Sequence, residues 1–221
     1  QTGFRWCFVL AALLAGGAFT IILRTRGIRP PEPGGGPGLE ELREGLRELY
    51  RVHMVLGFFF GLGTGTLFTF LPTFAEQLGV TGLGLFYTAY SVSAVAVRVF
   101  GGDLIDTRGR RAVIVPCMII FAAAVCIFAL LAGAVGPGVR VPVLPFIFLA
   151  GLLGGAAHGF LYPALSALLV DVTPEARRAP AVGIFSAVCL LGNAVGAVVF
   201  GYIARGAGYT PMWIALAVVM S

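Results

Sequence analysis

The sequence predicts an all-α protein that lies in a membrane as a multi-spanning helix bundle, and three observations carry that reading. Of its 221 residues 58% are hydrophobic and only 11% charged, with a mean hydropathy of +0.96, a balance far from that of a soluble domain. Apolar runs of the length needed to cross a hydrocarbon layer, roughly 20 residues for about 30 Å, recur along the chain. Arginines gather in alternate junctions between those runs, the asymmetry that orients membrane proteins.

The elements follow in order. Residues 7–23 form the first apolar run. An Arg-rich stretch follows it rather than a small-residue cleavage site, so it reads as a true span and not a secretory leader. Residues 24–51 are hydrophilic. Their first part, with Pro30, Pro31, Pro33 and Pro37 among glycines, cannot be helical. Their second part is amphipathic: Leu39, Leu42, Leu46 and Leu49 share one helical face, while Glu40/Arg43, Glu44/Arg47 and Glu48/Arg51 can pair on the other. A linker helix lying on the membrane surface is expected there, with docking of a partner as the alternative. Further spans are predicted at 52–76, 82–100, 112–135, 142–170 and 180–204, with another beginning near 209. The organisation is thus a span at 1–23, a linker at 24–51 and a helix bundle at 52–221. The chain opens on Gln1 and stops at Ser221 within an apolar run, so a piece of a longer protein is expected.

All fifteen basic residues are arginines. A phosphate-binding loop needs its lysine and a retinal Schiff base needs an amine, so neither is expected in this stretch. The net charge of +5 suits an anionic membrane surface, with no basic patch interleaved with aromatics that would fit nucleic acid. Cys7, Cys117, Cys126 and Cys189 sit in apolar runs without metal-ligand spacing and read as packing residues; no metal and no cofactor is expected.

One side of the membrane receives the linker arginines, then Arg108, Arg110 and Arg111, then Arg177 and Arg178, and is predicted to be cytoplasmic. The second of these junctions, predicted as a loop over 101–111, reads G-D-L-I-D-T-R-G-R-R. Gly102 permits close helix approach, Gly109 a tight turn, Asp106 accepts bonds from exposed helix N–H groups, and Arg110 and Arg111 anchor the next helix at the interface. This motif resembles the signature loop of the major facilitator superfamily, G-x-x-x-D-x-x-G-R-R/K, although Thr107 stands where a basic residue commonly follows the Asp. The stretch 86–101 and the segment 151–183, with Asp171, Pro174 and Arg178, are similar to the eighth and tenth helices of efflux-type members.

Gly57, Gly61 and Gly65 recur three spans later as Gly151, Gly155 and Gly159, and Gly192 and Gly196 repeat the four-residue spacing; such stripes admit close helix packing. The resemblance implies a 3+3 inverted repeat, here incomplete. It places the chain as the C-terminal half, from helix six to a truncated helix twelve, with the N-terminal half of the same protein as its partner. Polar groups within spans are costly and become site candidates. His158, one turn before Tyr162 and close to Pro163, is placed either to face a cavity and bind solute or titrate, or to make a structural hydrogen bond. Asn193 is read chiefly as a helix-to-helix bond, and Arg98 with Asp103 as part of a cytoplasmic gate. The resemblance implies a secondary transporter in a bacterial plasma membrane, moving a small organic solute by alternating access, with protons as the coupling ion and efflux as the direction. No enzymatic activity is expected. A membrane receptor or sensor is the alternative.

Overall fold

The computed structural model describes residues 9, 12, 13, 16, 17, 19, 20, 53–80, 82–108, 110–134, 142–173 and 175–220, and the side chains of 102–108, 110, 111, 172 and 176 lie outside that description. The chain divides into two compact units, Gln1–Leu42 and Arg43–Ser221. In the first, the described residues are helical and exposed, and Thr20 Oγ1 donates to the Gly17 carbonyl at 2.7 Å. The amphipathic linker expected at 39–51 falls outside the described residues.

The second unit is a bundle of α-helices: α1 His53–Gln77, α2 Gly84–Arg108, α3 Arg110–Ala134, α4 Val143–Val172, α5 Arg178–Ala207 and α6 Tyr209–Met220, with a 3-10 turn, Glu175–Arg177, before α5. At 1.5 Å per residue the five longer helices, of 25 to 30 residues, extend about 37 to 45 Å, enough to cross a bilayer core even when tilted. Among the described residues, four stretches are both long and apolar enough to do so: His53–Gln77, Ala112–Ala134, Val143–Asp171 and Arg178–Ala207. α1 ends in a Schellman motif. Gly79, at φ 69°, donates to the Glu76 carbonyl and Val80 to that of Ala75, both at 2.9 Å, satisfying acceptors that the last turn leaves open.

One boundary differs from expectation. The chain does not leave the helix at residue 100; α2 continues through Gly102, Asp103 and Asp106 to Arg108, and α3 starts at Arg110. The signature residues before Gly109 therefore stand on helical backbone rather than in an 11-residue loop. Helix-weakening Gly101 is held in α2 by packing: a Cβ placed there would overlap the ring of Phe160 on α4.

The helices pair crosswise. Taking α1–α3 and α4–α6 as two triplets, the first helix of each packs chiefly on the second helix of the other, α1 on α5 and α4 on α2, while α3 packs on α4 and α6. The glycine stripes lie in those two seams. A Cβ at Gly61 would overlap the Cys189 carbonyl, and one at Gly65 would fall 2.5 Å from the Asn193 Cα; in return, Gly192 and Gly196 lie against Phe58 and Leu62. A Cβ at Gly57 would fall 2.6 Å from the Phe185 ring. In the other seam, Cβ atoms at Gly151, Gly155 and Gly159 would collide with the carbonyl oxygens of Phe86, Tyr90 and Ala94. Backbone-to-backbone approach of this kind is the packing that membrane helices use where lipid removes the hydrophobic drive between them.

The core has two layers. Phe74, Phe86, Phe128, Trp213 and Leu216 fill one end, with Tyr90 at its inner edge. Met54, Val113, Leu165, Leu169 and Phe185 fill the end that borders the Arg-bearing junctions, with Phe60 at its inner edge.

Candidate functional site

Where the two layers meet, α1, α2 and α4 set a line of rings through the bundle. Tyr87 stacks on Phe68 at 6.3 Å, and Phe68 meets Tyr90 edge-on at 5.2 Å. Tyr90 lies 5.7 Å from His158, His158 5.0 Å from Phe60, Phe60 6.2 Å from Tyr162, and Tyr162 6.1 Å from Phe185. The line starts at the partly exposed Phe68 and Tyr87 and passes into the interior. Helical spacing explains it: Phe60 and Phe68 are two turns apart on α1, and His158 and Tyr162 one turn apart on α4.

Two polar atoms in this line are buried without a hydrogen-bond partner, Tyr90 Oη and His158 Nδ1. Ser166 Oγ and Trp213 Nε1 share that condition elsewhere, but Tyr90 and His158 are the pair whose rings touch. An unmet donor or acceptor in an apolar interior costs on the order of 1–3 kcal/mol. Tyr162 Oη is 3.4 Å from Ser186 Oγ, which itself donates to the Val182 carbonyl at 2.9 Å.

The sequence-predicted candidates separate. His158 and Tyr162 join through Phe60. Asn193 stands in the α1/α5 seam, where Thr64 Oγ1 donates to its Oδ1 at 3.0 Å. Arg98 sends Nε to the Gly159 carbonyl at 3.4 Å, next to His158 in sequence. Gly102, Asp103, Asp106, Gly109, Arg110 and Arg111 lie beyond the described side chains, with Asp103 and Asp106 placed by backbone on the last turns of α2. The eight stripe glycines occupy the two seams. Tyr90, Phe60 and Thr64 were missed. A signal for Thr64 existed, since it precedes Gly65 just as His158 precedes Gly159, 94 positions on.

A cavity of about 160 Å³ lies near the other end, lined by Phe74, Gln77, Leu78, Ala132, Tyr209 and Thr210. Its hydroxyls are already engaged: Tyr209 donates to Thr73 Oγ1 at 2.7 Å and Thr210 to the Ala132 carbonyl at 2.9 Å. Among the described residues there is no group of three or more His, Cys, Asp or Glu suited to a metal ion.

A glycine-zipped bundle of two crossed triplets, with four stretches long and apolar enough to cross a membrane, defines an integral membrane protein. The sequence matches the Major Facilitator Superfamily over residues 1–139 and 54–221, and the chain belongs to that family. It is 30% identical over 156 residues to the quinolone resistance protein NorA of Staphylococcus aureus strain MRSA252 and, equally, to that of strain Mu50, over 70% of this chain and 38% of those proteins. It is 28% identical over 161 residues to multidrug resistance protein 2 of Bacillus subtilis strain 168, over 72% of this chain and 38% of that protein. The chain thus spans well under half the length of these relatives.

Proposed function

We propose that the chain is the C-terminal half of a secondary transporter, from helix six to part of helix twelve, that exports a small, ring-bearing organic solute in exchange for protons. The observation that carries this reading is the aromatic line from Tyr87 to Phe185 with Tyr90 Oη and His158 Nδ1 unpaired in its middle. Rings offer broad, sequence-tolerant contact area to an apolar solute, and a few polar groups fix its orientation. The relatives' names, quinolone resistance and multidrug resistance, support export of organic compounds.

In this mechanism the N-terminal half supplies the other wall of the cavity, and the two halves rock about it to expose the solute to one side and then the other. The α2 end bearing Asp103 and Asp106, with Arg110 and Arg111 beyond it, braces the closed cytoplasmic face. His158 takes the role of exchanging a proton or binding the solute in this reading. The Arg-bearing end of α2 and the turn before α5, with Arg177 and Arg178, are assigned to the cytoplasm of a bacterial cell by their positive charge. The lipid bilayer, the solute and the proton are the partners; the reading includes no catalysis.

Proteoliposomes holding the full-length parent protein test the proposal with a panel of organic solutes, with and without an imposed pH gradient. Solute movement that grows with the gradient is expected. Binding of solutes without movement under any gradient would instead indicate a receptor or sensor.

A further inference from the structure

Pro163 lies inside α4 and the helix continues through it. An α-helical N–H bonds the carbonyl four residues back, and proline has none, so the acceptor that Pro163 leaves unserved is the carbonyl of Gly159. That carbonyl receives Arg98 Nε from α2 at 3.4 Å. The neighbouring cross-seam bond is of another kind: Ser93 Oγ donates to the Leu152 carbonyl at 2.8 Å, but Leu152 retains the backbone N–H of Ala156 within the same helix. Close approach makes the arginine bond possible, because a Cβ at Gly155 or Gly159 would collide with α2 backbone and hold the helices apart.

We propose that Arg98 is a clamp on a proline hinge in α4, and that through it the position of the α2 end carrying Asp103 and Asp106 controls the bend of α4 beside His158. Arg98 stands between the two regions in the chain, five residues before Asp103 and on the α4 seam at the level of Gly159. While the clamp is closed, the guanidinium replaces the backbone bond that Pro163 removes, and α4 keeps one curvature. When the α2 end shifts during opening of the cytoplasmic face, the clamp lets go, the Gly159 carbonyl loses its donor, and α4 bends at Pro163. Arg98 is accordingly a positioning residue: it acts on His158 and Tyr162 through α4. Proline kinks tolerated in membrane helices depend on such substitute donors.

The test is a double-mutant cycle in the full-length protein, read by hydrogen exchange of the α4 segment 156–164 in lipid nanodiscs. Pro163→Ala restores the N–H that Gly159 lacks and makes the clamp redundant. Arg98→Ala alone is expected to raise exchange in that segment about tenfold, Arg98→Lys to recover part of the protection, and Arg98→Ala in the Pro163→Ala background to change it less than twofold. If Arg98→Ala does not accumulate in membranes, recovery of its accumulation on adding Pro163→Ala reads the same coupling. Equal effects of Arg98→Ala with and without Pro163→Ala, or no effect in the presence of Pro163, would overturn the proposal. Exchange does not depend on solute movement, so this result stands apart from the transport reading.

Discussion

The α1/α5 and α2/α4 seams are built to one plan and finished differently. Each sets three glycines, four residues apart, against the facing helix, with backbone contact at Gly61 and Gly65 in the first seam and at Gly151, Gly155 and Gly159 in the second. At matching positions, one residue before the third glycine, the first seam has Thr64 and the second His158. Thr64 is bonded to Asn193 Oδ1 and within reach of the Phe60 carbonyl at 3.0 Å, so that seam is closed and satisfied. His158 Nδ1 has no partner and touches two rings. The comparison separates what glycine spacing decides, the distance between backbones, from what the neighbouring residue decides, whether the seam is only structural or also offers a site.

The largest expected effect treats both seams alike. Gly61→Val and Gly155→Val each place side-chain atoms against a facing backbone carbonyl that cannot rotate away. Each should cost about 3 kcal/mol or more, the upper part of the overpacking range, seen as loss of monodisperse protein in detergent on warming. Tolerance of valine in one seam but not the other would show that the two are not equivalent in packing.

A smaller effect divides them. Asn193→Ala should lower thermal stability by about 0.6–1.7 kcal/mol, the range for a hydrogen bond between membrane helices, and leave solute movement within about twofold of the parent. Smallest in stability is Tyr90→Phe, which removes a hydroxyl that has no partner in the folded chain. Its thermal midpoint should stay within about 0.5 kcal/mol of the parent or rise, while solute affinity falls; a marked loss of stability would show that Oη is satisfied in the membrane.

Much of this arrangement was legible in the sequence because it depends on local spacing. Apolar run lengths place most of the helices to within a few residues, and the recurrence of Gly57, Gly61 and Gly65 as Gly151, Gly155 and Gly159 marks stripes suited to close helix packing three spans apart. The α2 end was not legible: the motif reads as a loop over 101–111, and the Phe160 ring that packs on Gly101 comes from another helix, 59 residues on. Tyr90 and Phe60 escaped notice because nothing local distinguishes them from other aromatic residues in apolar helices; their meeting with His158 arises from the crossing of α1, α2 and α4. Sequence spacing groups Arg98 with Asp103, whereas its acceptor, the Gly159 carbonyl, lies on another helix.

The most direct test of the distinction between the seams is pH-gradient-driven solute flux through the full-length protein carrying His158→Ala, beside Asn193→Ala, each checked for thermal stability. The account predicts that His158→Ala lowers flux at least tenfold while costing in stability only the packing of its ring against Phe60 and Tyr90, because Nδ1 gives up no hydrogen bond in the folded chain. Full flux in His158→Ala, or a loss matched by Asn193→Ala, would contradict it and leave His158 a structural residue.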